Sequence, residues 1–589
     1  MKRGGLVVCS AVVLLCAGFC AHRAFSQMTG SGKAAQPARP LPAGLKVPAI
    51  RFEDLGPKAG LAGINVSGSD KQQQYIVENT GTGVAIIDYD NDGLPDLFFV
   101  NGDRFDRTGP PPRHHLYHNL GGLRFEDVTE KSGIVPAGWG QGVCAGDIDN
   151  DGLVDLFITS WGKNALYRNT GNGVFRDETE ARGLAGPKRW STGCSFFDYD
   201  RDGNLDLFVA HYLDFDPAKV ARPGAPGSCM WKGFSVVCGP MGLPPETMSL
   251  YHNDGNGHFT DVTEKAGISG TKAAGLTVLT GDFDNDGWPD VYVTGDSTAS
   301  LHFLNKRNGT FEEVGAYTGI AYNDEGHEQS GMGAWAGDYD HDGWLDIVKT
   351  NFTDDIPNLF RNLGRGTFAD VTTAAGLAIH TQYVSWGCGF LDFDNDGWAD
   401  ILIVNGHVYP DIDARGIGQS FRQPRLLYWN RRDKQFFDIS SQAGPGIATP
   451  HSSRGLAVGD LDNDGRVEIA VVNMHESPSL LKNYGEAGNA ILVRALTASG
   501  RDAIGVRLSV TAGGQTQIDE VRSGGYYMSQ GDFRVHFGIG GETRAALSIR
   551  WPGGNTEAVH EVAAGTWVTV QEGKGVISVR KLAAAKAAE

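Results

Sequence analysis

A chain of 589 residues with 41% apolar content is long enough to bury one large core and a smaller one. Its formal charge of −19 argues against nucleic acid as a partner. Its 82 glycines call for many turns, and the acids sit in short clusters along the chain rather than in a tail.

From the N-terminus, residues 1–26 read as a secretion signal. Lys2 and Arg3 precede the apolar run "GLVVCSAVVLLCAGF", and the small residues Ala24 and Ser26 place cleavage before Gln27. An uncleaved membrane anchor is the alternative, although the run is short for a spanning helix. Leu15 and Phe19, just before Cys16 and Cys20, are too bulky for a lipoprotein signal. No later segment is long and apolar enough to span a membrane. The expected location is outside the cell or in its envelope, either periplasm or surface. Residues 27–48, rich in Ala, Pro and Gly, read as a flexible tether.

Residues 49–486 repeat. The pattern D-x-D-x-D-G-x-x-D is made by Asp88, Asp90, Asp92 and Asp96; by Asp147, Asp149, Asp151 and Asp155; and by Asp198, Asp200, Asp202 and Asp206. It returns at Asp282, Asp284, Asp286 and Asp290; at Asp338, Asp340, Asp342 and Asp346; and at Asp392, Asp394, Asp396 and Asp400. A seventh copy, Asp460, Asp462, Asp464 and Glu468, ends in glutamate. After each comes an apolar pair and Asn, as in "LYHNLGG" (116–122), then an aromatic followed by an acid, as in "FEDVT" (125–129). Six copies of this last piece follow the acidic clusters, and the seventh, "RFEDLGPKAGL" (51–61), stands in front of them all. A unit split between the two ends of the repeat is expected of a closed ring whose N-terminal strand completes the final sheet. Four short strands per unit predict an all-β, seven-bladed β-propeller, with an open β-solenoid as the alternative.

Clustered carboxylates repel unless a cation lies among them. Calcium takes about 6–8 oxygens at about 2.3–2.6 Å. Acids at loop positions 1, 3 and 5 fall on one side of a tight turn, Gly at 6 permits the bend, a carbonyl at 7 points inward and the acid at 9 closes the shell. The spacing is similar to a helix–loop–helix calcium loop, but here strands such as "LFFV" and "VYVT" flank it. Calcium, up to seven ions, is therefore the expected cofactor. Magnesium prefers stricter octahedral geometry and keeps its waters, zinc lacks His or Cys at these positions, and the plain alternative is a set of polar hairpin turns. Loss of Lys2, Arg3 and Arg23 with the signal takes the charge from −19 to −22, and seven calcium ions bring it to −8. Arg201 within the third loop and Glu468 closing the seventh mark those two as the weakest or as empty. Trp288, Trp344 and Trp398, at position 7 of three loops, either line the ions or pack between blades.

Cys229 and Cys238 bracket a Pro/Gly-rich insert in the longest interval between repeats and are expected to form a disulfide. Cys144, Cys194 and Cys388 read as small buried strand residues, with a catalytic thiol as the alternative. Residues 487–573 alternate in short strands and read as a small β-sandwich, followed by a flexible tail, 574–589.

Here a resemblance enters. "GRDAIGVRLSV" (500–510), "GGYYMSQ" (524–530), "VHFGIG" (535–540) and "IRWPGG" (549–554) look like motifs of the ASPIC and UnbV domain. The repeats resemble the FG-GAP and VCBS-type calcium propeller that precedes this domain in the cartilage acidic protein family. The resemblance covers about 50–570 and implies that the matching aspartates bind calcium, as in the similar loops of integrin α-subunits. Vertebrate members end in an EGF-like module, for which this chain lacks the cysteines, so it looks closer to bacterial relatives. What the resemblance implies of function is extracellular binding or adhesion.

The leading reading is a secreted, monomeric, calcium-stabilised module that binds an extracellular protein or glycan, with no nucleic-acid partner and no membrane span once the signal is removed. The alternative is a calcium-dependent polysaccharide lyase or dehydratase working in an axial funnel, for which His407 and Tyr409 in "NGHVYP" are the best base and partner. His114 and His115 read as loop residues. No G-x-S-x-G, H-E-x-x-H or phosphate loop is present. A third reading is a structural spacer.

Overall fold

The computed structural model describes residues 35–42, 44–106, 110–136 and 138–585. The secretion signal and the start of the tether lie outside the described residues.

Seven antiparallel four-stranded units follow one another. In the fourth, Gly275–Gly281, Asp290–Thr298, Leu301–Asn305 and Phe311–Glu313 pair in chain order. Strands such as "DVYVTG" are apolar or small on both faces because a neighbouring unit covers each face, and Val291, Tyr292 and Val293 are all fully buried. The last unit is completed from the front of the chain: Phe52–Asp54 pairs with Ser479–Asn483, Phe52 opposite Asn483. The protein is a β-propeller.

The Asn that recurs after each apolar pair has a purpose that periodicity alone hides. Its side-chain amide donates to the carbonyl of loop position 2 in the preceding unit. Asn169 reaches Tyr89, Asn253 reaches Ile148, Asn305 reaches Tyr199, Asn362 reaches Phe283, Asn430 reaches Tyr339 and Asn483 reaches Phe393, at 2.8–3.0 Å. Asn119 of the first unit reaches Leu461 of the last at 2.8 Å, which closes the circle.

The C-terminal domain is two four-stranded sheets face to face. One runs Val535–Gly540, Asn489–Leu496, Thr566–Gln571, Gly575–Lys581; the other runs Gln515–Glu520, Arg507–Ala512, Arg544–Arg550, Thr556–Ala563. Val493, Leu508, Ile549 and Val568 fill the space between them. The stretch expected as a loose tail from 574 is in part this edge strand, since "GVISVRK" has the β-branched character to extend the sheet. The tether is not wholly free either: the Gln36 amide donates to Ala378 O at 2.7 Å, and Arg39 donates to Thr373 O and Ala374 O.

Between the two sheets, residues 523–531 leave the domain and fill the propeller axis. Gln530 N donates to Val84 O and Ile86 N to Gln530 O in the first unit, and Val143 N donates to Met528 O in the second. Ser195 Oγ donates to Ser523 O in the third. Ala334 N donates to Tyr526 O in the fifth, while Trp335 stacks on the Tyr526 ring at 3.8 Å. The axis admits this backbone because glycine stands five residues before the first acid in six of the seven units: 83, 142, 193, 333, 387 and 455, with Thr277 in the fourth. A Cβ on Gly83 would lie 1.8 Å from Met528 O, and one on Gly333 would lie 2.4 Å from both Tyr526 O and Trp386 O.

Cys229 and Cys238 form the expected disulfide. Cys144 and Cys194, expected as isolated buried thiols, are also bridged, with Cα atoms 5.7 Å apart. They lie in the first strands of consecutive units, which are side by side around the axis although 50 residues apart in sequence. Cys388 is buried and unbridged.

Gly333→Val forces a side chain into the plug and is expected to cost on the order of 3 kcal/mol in chemical denaturation. Gly270→Ala, where a Cβ meets nothing within 4 Å, is expected to stay within about 0.5 kcal/mol of the parent.

Candidate functional site

Each acidic loop joins the first two strands of its unit and takes the same shape. Position 4 is left-handed (Asn91 at φ 59°, Asn285 at 58°, Asn463 at 57°), and so is the glycine at position 6. The acid at position 1 accepts that glycine's amide, as Asp282 Oδ2 does from Gly287 N at 2.9 Å. In the first six loops the acid at position 9 accepts the backbone amide of the inter-unit Asn, as Asp346 Oδ1 does from Asn362 N at 2.7 Å. Carboxylate oxygens then converge: ligand atoms of Asp88, Asp90 and Asp96, of Asp147, Asp149 and Asp155, and of Asp198, Asp200 and Asp202 lie within 4.8 Å of one another.

These loops suit a hard, oxygen-bound cation. Among the described residues, Asp88 Oδ1, Asp149 Oδ1, Asp200 Oδ1, Asp282 Oδ1, Asp340 Oδ1 and Asp394 Oδ1 are buried carboxylate oxygens without a donor, at least one in each of the first six loops, and Asp290 Oδ2 and Asp400 Oδ2 add a second in the fourth and sixth. Burial also raises the carboxyls: Asp88, Asp147 and Asp198 to about 6, Asp206 and Asp338 to about 7, Asp96 to about 9, and Asp290, Asp346 and Asp400 well above the ordinary range.

In five of the units the residue just before the inter-unit Asn reaches the acidic loop, a position the motif leaves variable and whose role the sequence pattern did not reveal. Arg168 reaches Asp149 and Asp151, each at 2.6 Å. Arg361 reaches Asp340 at 2.6 Å and Asp342 at 2.7 Å. His252 lies 3.1 Å from Asp206, His118 lies 3.2 Å from Asp96, and Lys482 lies inside the seventh loop. Leu304 and Trp429 fill the position in the fourth and sixth. Arg201, at position 4 of the third loop, lays its guanidinium over Trp288 of the fourth, 4.3 Å from the ring centre. Trp398 stacks on His341 of the preceding loop at 3.9 Å, so these tryptophans pack loop on loop.

The loops all sit at the end of the propeller that the C-terminal domain covers. Arg507 donates to Asp282 O at 2.8 Å, Arg501 to Gly203 O at 3.1 Å and Arg534 to Asp460 O at 2.5 Å. Gly488 N donates to Asp394 O, and Gly540 N to Asn395 O, both at 2.7 Å. Arg550 pairs directly with Asp282.

At the other end lies a cavity of about 660 Å³ walled by Phe105, Trp139, Trp161, Trp190 and Phe215 and rimmed by Arg104, Lys188, Asp214 and Glu246. Trp161 stands 6.0 Å from Trp139 and 5.5 Å from Phe215 between ring centres. Through Lys163 and Arg189 the cavity continues into a polar cleft of about 1290 Å³ between the second and third units.

The axial site proposed for a lyase is filled. His407 is fully buried, and burial lowers its imidazole to about 3. Its Nδ1 accepts Tyr409 N at 3.1 Å, and Nε2 contacts Gln419 Oε1 at 3.2 Å. Trp231 of the disulfide-bracketed insert covers both His407 and Tyr409, at 5.5 and 5.8 Å between ring centres. His114 and His115 are not free loop residues. His114 is buried against Phe98 and accepts Asn101 N, and His115 opens the strand His115–Asn119 and contacts Asp127 at 3.1 Å.

Residues 88–158, 147–209, 236–293 and 282–349 match the FG-GAP-like repeat, and residues 496–577 match the ASPIC and UnbV domain. Fold and loops thus define an FG-GAP-type propeller joined to an ASPIC and UnbV domain. The chain is similar to cartilage acidic protein 1 of Xenopus tropicalis, 24% identical over 506 residues that span 80% of this chain and 70% of that protein. The Mus musculus protein of that name is 24% identical over 509 residues, with the same coverage. Integrin alpha-6 of Gallus gallus is 30% identical over 147 residues, 24% of this chain and 13% of the integrin. These matches agree with the family resemblance seen in the motifs. They are compatible with an extracellular location, as are the two disulfides. No helix among the described residues is long and apolar enough to cross a membrane.

Carboxyls raised by folding favour the folded state only below their unfolded values near 4, and that contribution is lost as pH rises through the folded values of about 6 to 9. Protein stripped of divalent cations is therefore expected to melt at progressively lower temperature from pH 5 to pH 8.

Proposed function

We propose that the protein is an exported, calcium-stabilised binding module. Calcium held by the acidic loops stiffens the propeller and seats the C-terminal domain. The opposite, open end recognises an extracellular protein or glycan. The observation that carries this reading is the division between the two ends: the C-terminal domain covers the acidic loops and fills the axis, while the other end keeps an aromatic cavity with a charged rim that opens into the cleft between the second and third units. The likeness to cartilage acidic protein 1 and to an integrin α-subunit supports an adhesive or binding role over an enzymatic one.

At about millimolar calcium and a dissociation constant on the order of 0.1 mM, each filled loop adds about 1.4 kcal/mol. Calcium is expected to raise the melting temperature, and by more at pH 8 than at pH 5, because protons compete for the same carboxylates. Melting curves that do not respond to calcium at either pH would remove the metal from this reading.

Trp161 is half-buried at the cavity mouth, where an aromatic anchor is worth about 2 kcal/mol or roughly thirty-fold in affinity. Captured from extracellular matrix, partners of the full mature chain are expected to be lost with Trp161→Ala and kept with Tyr317→Ala, a ring 91% exposed elsewhere. Equal capture by both variants would place recognition elsewhere, and no capture by the parent would favour the spacer reading.

A further inference from the structure

We propose that the seventh acidic loop carries a resident cation of its own, the Lys482 ammonium, where the other loops take calcium. This rests on the calcium reading above.

The loop has the backbone of its siblings. Asn463 is left-handed, Asp460 Oδ2 accepts Gly465 N at 2.9 Å, and Asp460 Oδ1 accepts Asp464 N at 3.1 Å. What differs is its centre. Lys482 Nζ lies 3.1 and 3.0 Å from the two oxygens of Asp462, 2.9 Å from Asp464 Oδ2 and 2.7 Å from Glu468 Oε1. The lysine side chain is only 2% exposed, and Asp464 and Glu468 are as deeply buried. In the first unit, by contrast, Asp96 Oδ1 accepts the Asn119 backbone amide. In the seventh, the longer Glu468 turns one oxygen to Leu461 N at 2.8 Å and the other to the ammonium. The two departures from the repeat, Glu for Asp at position 9 and Lys before Asn483, thus belong together.

The buried oxygens separate this loop from the rest. Each of the first six has at least one buried carboxylate oxygen without a donor, and among the described residues none from Asp460, Asp462, Asp464 or Glu468 is in that state. The histidines at the equivalent position in the first and third units reach Asp96 and Asp206 but leave Asp88 Oδ1 and Asp200 Oδ1 without a donor, and the arginines of the second and fifth stay at the edge. Arg168 and Arg361 are about a quarter exposed and bind only the outer Oδ2 atoms, leaving Asp149 Oδ1 and Asp340 Oδ1 without a donor. An ammonium has the hydrogen-bonding capacity and the burial to hold the loop shut, but a dication cannot share its position. The seventh unit is also where the N-terminal strand closes the ring. A covalently attached cation makes that closure independent of calcium.

The test counts calcium bound to the full mature chain by equilibrium dialysis and atomic absorption. Lys482→Gln is expected to take up one more ion per chain than the parent, as is the double variant Glu468→Asp/Lys482→His, which copies the first unit and serves if the single change misfolds. Asp462→Asn in the parent is expected to leave the count unchanged, while Asp394→Asn lowers it by one. The proposal is overturned if a folded Lys482 variant keeps the parental count or if Asp462→Asn lowers it. A parent that binds no calcium defeats the reading of the other loops, and the gain of one ion on removing Lys482 still decides this one.

Discussion

The interaction on which the rest of the structure depends is the neutralisation of carboxylates buried between two domains. An acid at position 9 such as Asp290 or Asp400 lies under a neighbouring unit, and the C-terminal domain lies over the loops. Charge there is costly unless it is paired and hydrogen-bonded. Three kinds of partner share the task. Backbone amides of the loop and of the inter-unit Asn cover part of each carboxylate. Basic side chains on the third strands and on the C-terminal domain meet the outer oxygens. The inner oxygens of six loops have no donor, and in the seventh the Lys482 ammonium reaches the centre.

That requirement explains why the molecule has two unlike ends. The end with the acidic loops is structural: arginines of the C-terminal domain bind loop carbonyls, and a segment of that domain descends the axis. The connections at the other end carry no such duty and are free to lengthen. They do so in the insert bracketed by Cys229 and Cys238 and in the 406–425 loop, whose Trp231 and Tyr409 pack on each other, with Trp231 also against Phe352 of the fifth unit. Between the first three units the covering is incomplete, and the aromatic cavity lies in that gap.

Much of this was legible in the sequence because it repeats. Strand order, loop chemistry and ring closure each recur or are completed by a displaced copy, and the four residues of each acidic loop lie within a span that spacing can read. What escaped depends on contacts between units. Nothing local pairs Cys144 with Cys194, because their strands become neighbours only once the ring exists. The glycines at 83, 142, 193, 333, 387 and 455 recur in register, but nothing local to them shows that a backbone segment from beyond residue 520 lies on the axis. His407 looked available because "NGHVYP" reads as a loop, and Trp231, which buries it, comes from a distant insert. Lys482 fell at a position that varies among His, Arg, Leu, Trp and Lys, so its register was clear and its destination was not.

The connectivity also constrains the order of assembly. The ring cannot close before Ser479–Asn483 exists to receive Phe52–Asp54, and the axis cannot fill before residues 523–531 have been made. Until then the inner strands present glycine and unpaired backbone to an empty channel. Because the plug is an excursion between two strands of the C-terminal domain, it enters from the side of the acidic loops without threading, and docking of that domain and filling of the axis are one event. Contacts this distant in sequence are slow to form and depend on loop closure across nearly the whole chain. The Cys144–Cys194 bridge ties two neighbouring units together at the axis, and the Lys482 ammonium ties the third strand of the last unit to its acidic loop.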